Sequence, residues 1–216
     1  MYDLIGDVHG EAQMLKDLLK SMGYKNKNGA FVHESRKAVF VGDFINRGTQ
    51  IRETILIIRK MVEAGNALAI LGNHELNAMV YELKDQAGKP FMKRLLKYRM
   101  PLNQTFEEFA HIPREYKSHI KWMRTLPMFL ELDGIRVVHA CWQDENIEMI
   151  RQNIQGPKLK KSLLKKIGKN GSDLSRAFWR TCKGIDFKLP KDLLVYDEKG
   201  QAHKRFRTKW WLNPEG

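Results

Sequence analysis

At 216 residues with 43% apolar content, the chain is long enough for one domain with a sizeable core and too apolar to be disordered throughout. No apolar run approaches the roughly 20 residues of a membrane helix. Met1 to Asp7 lacks the basic flank and long apolar stretch of a signal peptide. Cys141 and Cys182 cannot build a disulfide framework and form no CxxC pair, so a reducing, cytoplasmic setting with no membrane partner is expected. The formal charge of +13 favours encounter with an anion, whether a phosphate ester, a nucleotide or a nucleic acid, without marking any one site.

Tyr2–Ile5 is a short apolar run stopped by Gly6, and it reads as a strand. Met14, Leu15, Leu18, Leu19 and Met22 then recur at helical spacing up to Gly23. Lys37–Val41 reads as the next strand. Ile51, Ile55, Leu56, Ile58 and Val62 line a second helix that closes near Gly65, and Ala67–Leu71 makes a third strand. Strand and helix alternating in this way predict α/β layering with parallel strands. The stretch from Tyr81 to Thr125 is helical and mixed in charge, reads as an insertion over the core, and carries Pro90, Pro101 and Pro113 as breaks. Met128–Leu132 and Ile135–His139 flank Asp133-Gly134, a pairing that predicts a hairpin with a type I′ turn. From Arg151 the chain becomes basic. Lys158 to Lys169 surround Leu159, Leu163, Leu164 and Ile167 as in a short amphipathic helix, whose lysines read first as solvated surface. Trp210-Trp211 beside arginines could stack on bases, but core or interface burial is the plainer reading. The whole chain reads as one domain, residues 1–216.

Each of the first three strands runs straight into a polar cluster: Gly6-Asp7-Val8-His9-Gly10, then Gly42-Asp43-Phe44-Ile45-Asn46-Arg47-Gly48, then Gly72-Asn73-His74-Glu75. Sites in α/β sheets form at the carboxyl ends of strands, where glycine lets the backbone turn and a ligand approach. His139 ends a fourth strand in the same way. Taken singly, Asp7 or Asp43 could cap a helix, His9 or His139 could be a structural histidine, and Asn73-His74 could be a turn. Together they offer the mixed oxygen and imidazole donors that suit Mn, Fe or Zn. A two-metal phosphoesterase needs such donors to hold its ions about 3.5–4 Å apart and to generate a hydroxide nucleophile at neutral pH. Arg47 offers a planar fork to phosphate oxygens, and His74 is placed as a general acid to the leaving group.

These motifs, with Val137-Val138-His139-Ala140, resemble the phosphoprotein phosphatase branch of the calcineurin-like metallophosphoesterases and the diadenosine tetraphosphatase-like branch beside it. The resemblance spans residues 1 to about 142. It implies an α/β fold of four-layer α-β-β-α type and a binuclear centre, commonly Mn²⁺ in bacterial members. It further implies that Asp7, His9 and Asp43 hold the first metal, Asp43 bridges, and Asn73 and His139 hold the second. Arg47, with Asn73 and His74, would meet the substrate phosphate, and His74 would protonate the leaving group.

Two departures stand out. Asn46 replaces the aspartate that usually orients the histidine acid; it can accept a hydrogen bond but brings no charge. The family also places a further metal-ligating histidine in a Gly-His pair on a later strand. Only His203 follows His139 here, with the wrong neighbours, and no final strand pair is evident before Gly216. Either the chain is a shortened form of the fold that lacks its last strands, or the second metal is held by fewer protein ligands and more water. The other histidines, His33, His111, His119 and His203, read as surface or capping residues, and Cys141 as a small buried hydrophobe. The leading expectation is hydrolysis of a phosphomonoester or phosphoprotein, with dinucleoside polyphosphates as the alternative within the same chemistry. A weakly active or non-catalytic module that binds metal or nucleic acid is the alternative from another class.

Overall fold

The computed structural model describes residues 1–91, 99–169, 171–190, 192–197 and 200–212. Strands β1 (Tyr2–Ile5), β4 (Lys37–Phe40) and β5 (Ala67–Ala69) form a parallel sheet in the order β1-β4-β5. Val39 lies opposite Leu4 on one side and Leu68 on the other. The side chains alternate across the sheet with period two. Ala38 and Phe40 join Ile5, Ala67 and Ala69 in the main core, while Val39 and Ile70 face the other way onto Val137.

Helices α1 (Ala12–Ser21) and α2 (Ile51–Glu63) cover the first face. Both end as the sequence predicts. Gly23 takes φ +88°, its N–H bonds the carbonyl of Lys20 at 2.9 Å, and that of Tyr24 bonds Leu19 at 2.9 Å, which satisfies the last carbonyls of α1. Gly65 (φ +73°) and Asn66 repeat the motif on Val62 and Met61. The hairpin of β6 (Phe129–Leu132) and β7 (Ile135–Val138) lies on the second face, through Leu130, Leu132 and Val137. The expected α/β class is therefore the observed one, with helices over one sheet face and a hairpin over the other.

Several local expectations differ. The third strand breaks off at Ala69, before Leu71, whose N–H turns to the carbonyl of Pro127 at 2.9 Å. The loop at Asp133-Gly134 is not type I′, because only Gly134 takes a positive φ (+76°). A type I′ geometry occurs instead at Asn28-Gly29 (φ +54° and +84°), joining β2 (Lys25–Lys27) to β3 (Ala30–Val32). Pro113 does not break a helix; it opens α5 (Pro113–Met123), where its missing N–H costs nothing. Pro101 sits likewise in the 3₁₀ turn Met100–Leu102 that leads into α4 (Asn103–Glu108). Pro90 pairs with Lys84 in an isolated bridge.

The loop after β5 enters α3 (Asn73–Tyr81) directly. Beyond the hairpin come α6 (Asp144–Asn153), α7 (Lys161–Gly168) and α8 (Asp173–Lys183). Leu163, Leu164 and Ile167 of α7 are buried, as its amphipathic pattern predicts. Two small ribbons follow: β8 (Asp186–Lys188) with β11 (Arg205–Arg207), and β9 (Val195–Tyr196) with β10 (Ala202–His203). Among the described residues no helix is long and apolar enough to cross a membrane.

Candidate metal centre

The three polar clusters meet at the carboxyl edge of the parallel sheet. Backbone bonds lock them together: the N–H of His9 to the carbonyl of Asp43 (2.9 Å), Gly10 to Phe44 (2.9 Å), and Gly48 back to His9 (2.8 Å). Four side chains of these loops sit on backbone with positive φ, namely His9 (+46°), Asp43 (+55°), Asn46 (+70°) and Arg47 (+68°). Such conformations cost on the order of 1 kcal/mol or more each and persist only where the surroundings hold them. The contacts are also close. A Cβ on Gly72 would stand 2.1 Å from Asp43 Oδ1, and one on Gly42 would stand 2.3 Å from the Gly72 nitrogen, so both positions need glycine.

The holding group is Glu75, which the sequence reading quoted but gave no role. It is fully buried, and its two carboxylate oxygens accept four N–H bonds: from Asp43 (2.8 Å), Phe44 (2.8 Å), Ile45 (3.3 Å) and Gly72 (3.0 Å). Burial and the neighbouring Asp43 charge push its pKa up to about 7, against the pull of those donors. Its signal in the sequence is a Glu three residues after a helix-capping position. Helix α4 braces the same loop. Thr105 accepts from the Asn46 N–H (3.2 Å) and donates to Asn46 Oδ1 (2.5 Å), and Glu108 caps Ile51 (2.7 Å) and Arg52 (2.8 Å) at the start of α2. Neither Thr105 nor Glu108 carries a readable motif.

Asp43 is the hub. Its Oδ2 faces Nε2 of His139 at 3.5 Å, of His9 at 3.7 Å and of His74 at 3.8 Å, while its Oδ1 accepts the backbone N–H of His74 at 3.0 Å. Two donor groups form around it, His9–Asp43–His74 and Asp7–Asp43–His139, each with its atoms within 4.8 Å of one another. His9 Nδ1 donates to the carbonyl of Ile45 (2.9 Å) and His139 Nδ1 to that of Val41 (2.6 Å), which turns each Nε2 inward. Nε2 of His9 is buried without a hydrogen-bond partner. An orphaned imidazole nitrogen pointing at carboxylates fits a bound cation, and the donor set suits a divalent metal.

The electrostatics follow from the same packing. Burial works against the Asp43 anion, but His139 and His74 outweigh it and hold its pKa below the usual carboxylate range. Burial would lower His139, yet the Asp43 carboxylate beside it carries it up to about 9. His9 is raised in spite of burial, by Asp7 and the Ile45 carbonyl. The His9 imidazole, 3.5 Å away, lowers Asp7, the more exposed carboxylate. His74 goes the other way: burial brings it down to about 4, so it is neutral at pH 7.

Asn46 donates through Nδ2 to His74 Nδ1 at 2.6 Å, because its oxygen is taken by Thr105. Asn46 is thus a donor to this ring, where the sequence suggests an acceptor. His74 then carries its proton on Nε2, toward Asp43, and gains no carboxylate to stabilise an imidazolium. Asn46→Asp is expected to raise the pKa of His74, measured by NMR titration of its ring, and to increase metal-dependent turnover severalfold. A pKa that stays near 4 with an unchanged rate would show that Asn46 only fills space.

Arg47 is exposed on the same loop, with no ion-pair partner among the described residues. With its amide turned to the orientation that satisfies both ends, Asn73 donates to the carbonyl of Cys182 (3.2 Å) and its oxygen accepts from the His74 N–H (3.2 Å). His203 lies in β10 against Asp197 at 2.9 Å, apart from the metal-binding groups. His33 caps Ser35 and Arg36 through Nδ1 (3.1 Å each), as expected, whereas His119 is buried and paired with Glu115, not on the surface. Cys141 is a fully buried hydrophobe. Trp210 is half-buried with its indole bonded to the Ala140 carbonyl (2.5 Å), while Trp211 is 64% exposed, contrary to the burial expected of both.

An α/β sheet whose strand ends gather a second carboxylate and three imidazoles around one aspartate defines a metal-binding hydrolase-type site. The sequence match agrees: residues 2–177 match the calcineurin-like phosphoesterase model, and the chain belongs to that family. The bis(5′-nucleosyl)-tetraphosphatase PrpE [asymmetrical] of Oceanobacillus iheyensis is 31% identical over 144 residues, 64% of this chain and 54% of that protein. Its counterpart in Anoxybacillus flavithermus is 26% identical over 221 residues, 99% of this chain and 82% of that protein. The chain thus spans about half the length of some curated relatives and four-fifths of another. Among solved structures, the cold-active protein-tyrosine phosphatase of a psychrophile Shewanella sp. aligns over 77% of this chain and 46% of its own, at 20% identity and a TM-score of 0.47.

Proposed function

We propose that the chain hydrolyses phosphate esters at this centre, with two divalent ions, Mn²⁺ first among them. The observation that carries the reading is Asp43 Oδ2 facing three imidazole nitrogens within 3.8 Å, with an unpaired guanidinium on the same loop. Asp7, His9, Asp43 and His139 would hold the metals, with Asn73 at the second once its amide turns from Cys182. Bound there, the ions would polarise the phosphoryl oxygens and supply a hydroxide at neutral pH. Arg47 binds and orients the phosphate through its planar fork. His74, neutral here, presents Nε2–H to the leaving oxygen as a hydrogen-bond donor, and the Asn46 bond at Nδ1 fixes that tautomer.

The finer reading is that the substrate is a dinucleoside polyphosphate. It rests on the tetraphosphatase activity for which the relatives are named, one of which aligns with nearly the whole chain. Phosphomonoesters, including phosphoproteins, are the second reading. The test compares Mn²⁺-dependent cleavage of diadenosine tetraphosphate with that of p-nitrophenyl phosphate. The expected result is a higher kcat/KM for the dinucleotide, with both falling at least about tenfold in Arg47→Ala, as for loss of a charged contact worth about 1.5–3 kcal/mol. Metal-dependent cleavage of p-nitrophenyl phosphate alone would select the second reading, and no metal-stimulated turnover of either would sink both.

A further inference from the structure

The charge of the molecule is unevenly placed. Sixteen of the 38 Lys and Arg residues but only six of the 25 Asp and Glu lie after Gly156. The solvent face of α8 and the β8–β11 ribbon enclose an open cleft of about 440 Å³, lined by Trp179, Arg180, Lys183, Phe187 and Arg205 among others. Its residues from Trp179 onward lie beyond the part of the chain that matches the family. Across the ribbon Phe187 stands opposite Phe206, and the two rings stack at 6.0 Å with 28° between their planes. They are nevertheless 52% and 46% exposed. Lys183 lies over the Trp179 ring at 4.4 Å, and neither it, Arg180 nor Lys188 has an ion-pair partner among the described residues. Arg205 is held by Asp186 through two bonds (2.6 and 3.0 Å), which stiffens the ribbon.

Exposed aromatic rings interleaved with unpaired cations are the two components of a sequence-tolerant site for single strands: a stacking platform and a charged track for the backbone. A duplex buries its base faces and offers nothing to Phe187 and Phe206. A second copy of the chain would bring a like charge of +13 against the same surface. From this geometry we infer that the cleft between α8 and the β8–β11 ribbon, with the Phe187–Phe206 pair, binds single-stranded nucleic acid. The site lies on the outer face of α8. From its other side the last turn of that helix holds the segment just after His139, through the N–H bonds of Ala140 and Cys141 to the Thr181 carbonyl (3.1 and 3.2 Å).

The test is fluorescence anisotropy of the full chain with a labelled twelve-nucleotide oligo(dT), from 50 to 200 mM NaCl. Binding should weaken steeply with salt. Arg180→Gln with Lys183→Gln should make the logarithmic slope shallower by about 0.7 per cation removed. Phe187→Ala and Phe206→Ala should each weaken binding by about fivefold to a hundredfold with the slope unchanged, while Phe206→Trp, which keeps a stacking face, should bind as tightly as wild type. Circular dichroism melts of each variant report folding independently of any activity. The inference is overturned by no binding at 50 mM NaCl, by equal affinity for a duplex of the same length, or by ATP competing as well as the oligonucleotide. It is equally overturned if the alanine variants bind as wild type, or if Phe206→Trp binds as weakly as Phe206→Ala.

Discussion

Glu75→Ala is expected to lower the melting temperature by about 8–16 °C, and metal-dependent activity with it. The carboxylate accepts four N–H bonds from the Asp43 loop and the cap of α3, in a pocket with no access to water. Removing it strands four buried donors, each at about 1–3 kcal/mol before the loop relaxes. At the low end that is about 4 kcal/mol, and for a chain of this size each kcal/mol moves the midpoint by about 2–4 °C. The loss also releases Asp43, Asn46 and Arg47 from left-handed backbone, a conformation they adopt only under constraint. Glu75→Gln retains one acceptor oxygen and should recover part of the stability. A thermal melt by circular dichroism checks both, and an alanine variant within 2 °C of wild type would show that the loop holds itself.

Such a residue marks the boundary of what is legible in this sequence. The parallel strands, the two helices closed by Gly23 and Gly65, and the strand-end placement of Asp7, His9, Asp43 and His139 follow from periodicity and glycine punctuation, which act over short stretches of chain. Dependence on distant partners is not legible. Glu75 looks like an ordinary helix residue until folding brings Asp43 to it, 32 positions away, and Thr105 reaches Asn46 across 59. The turns make the same point locally. Asn28-Gly29 and Asp133-Gly134 carry equally good hairpin signals, yet only the first takes positive φ at both residues. Strand β2 is exposed and β3 seats only Phe31 in the core, whereas β7 must carry Val137 onto the sheet and also deliver His139 to Asp43. Tertiary demand decides the second turn.

Asp43→Asn should reduce Mn²⁺ affinity at least about 100-fold, and turnover with it, while leaving the fold intact. Changes in the residues that merely orient metal ligands cost 10–100-fold, and Asp43 is itself the group shared by both donor clusters. Its Oδ1 accepts the His74 N–H, a bond that an asparagine oxygen can keep, so helix α3 should stay in register. At Oδ2 the change is more severe. An amide nitrogen there would replace the oxygen that faces three imidazole nitrogens, His74 already turning its own N–H toward it, and it has no charge to hold a cation. Isothermal titration with Mn²⁺ on the metal-free chain reads affinity without reference to any substrate. Retained affinity would move the centre elsewhere, because no other side chain among the described residues belongs to both donor groups. Lost affinity with an unchanged melting temperature would establish Asp43 as the bridge on which the proposed chemistry depends.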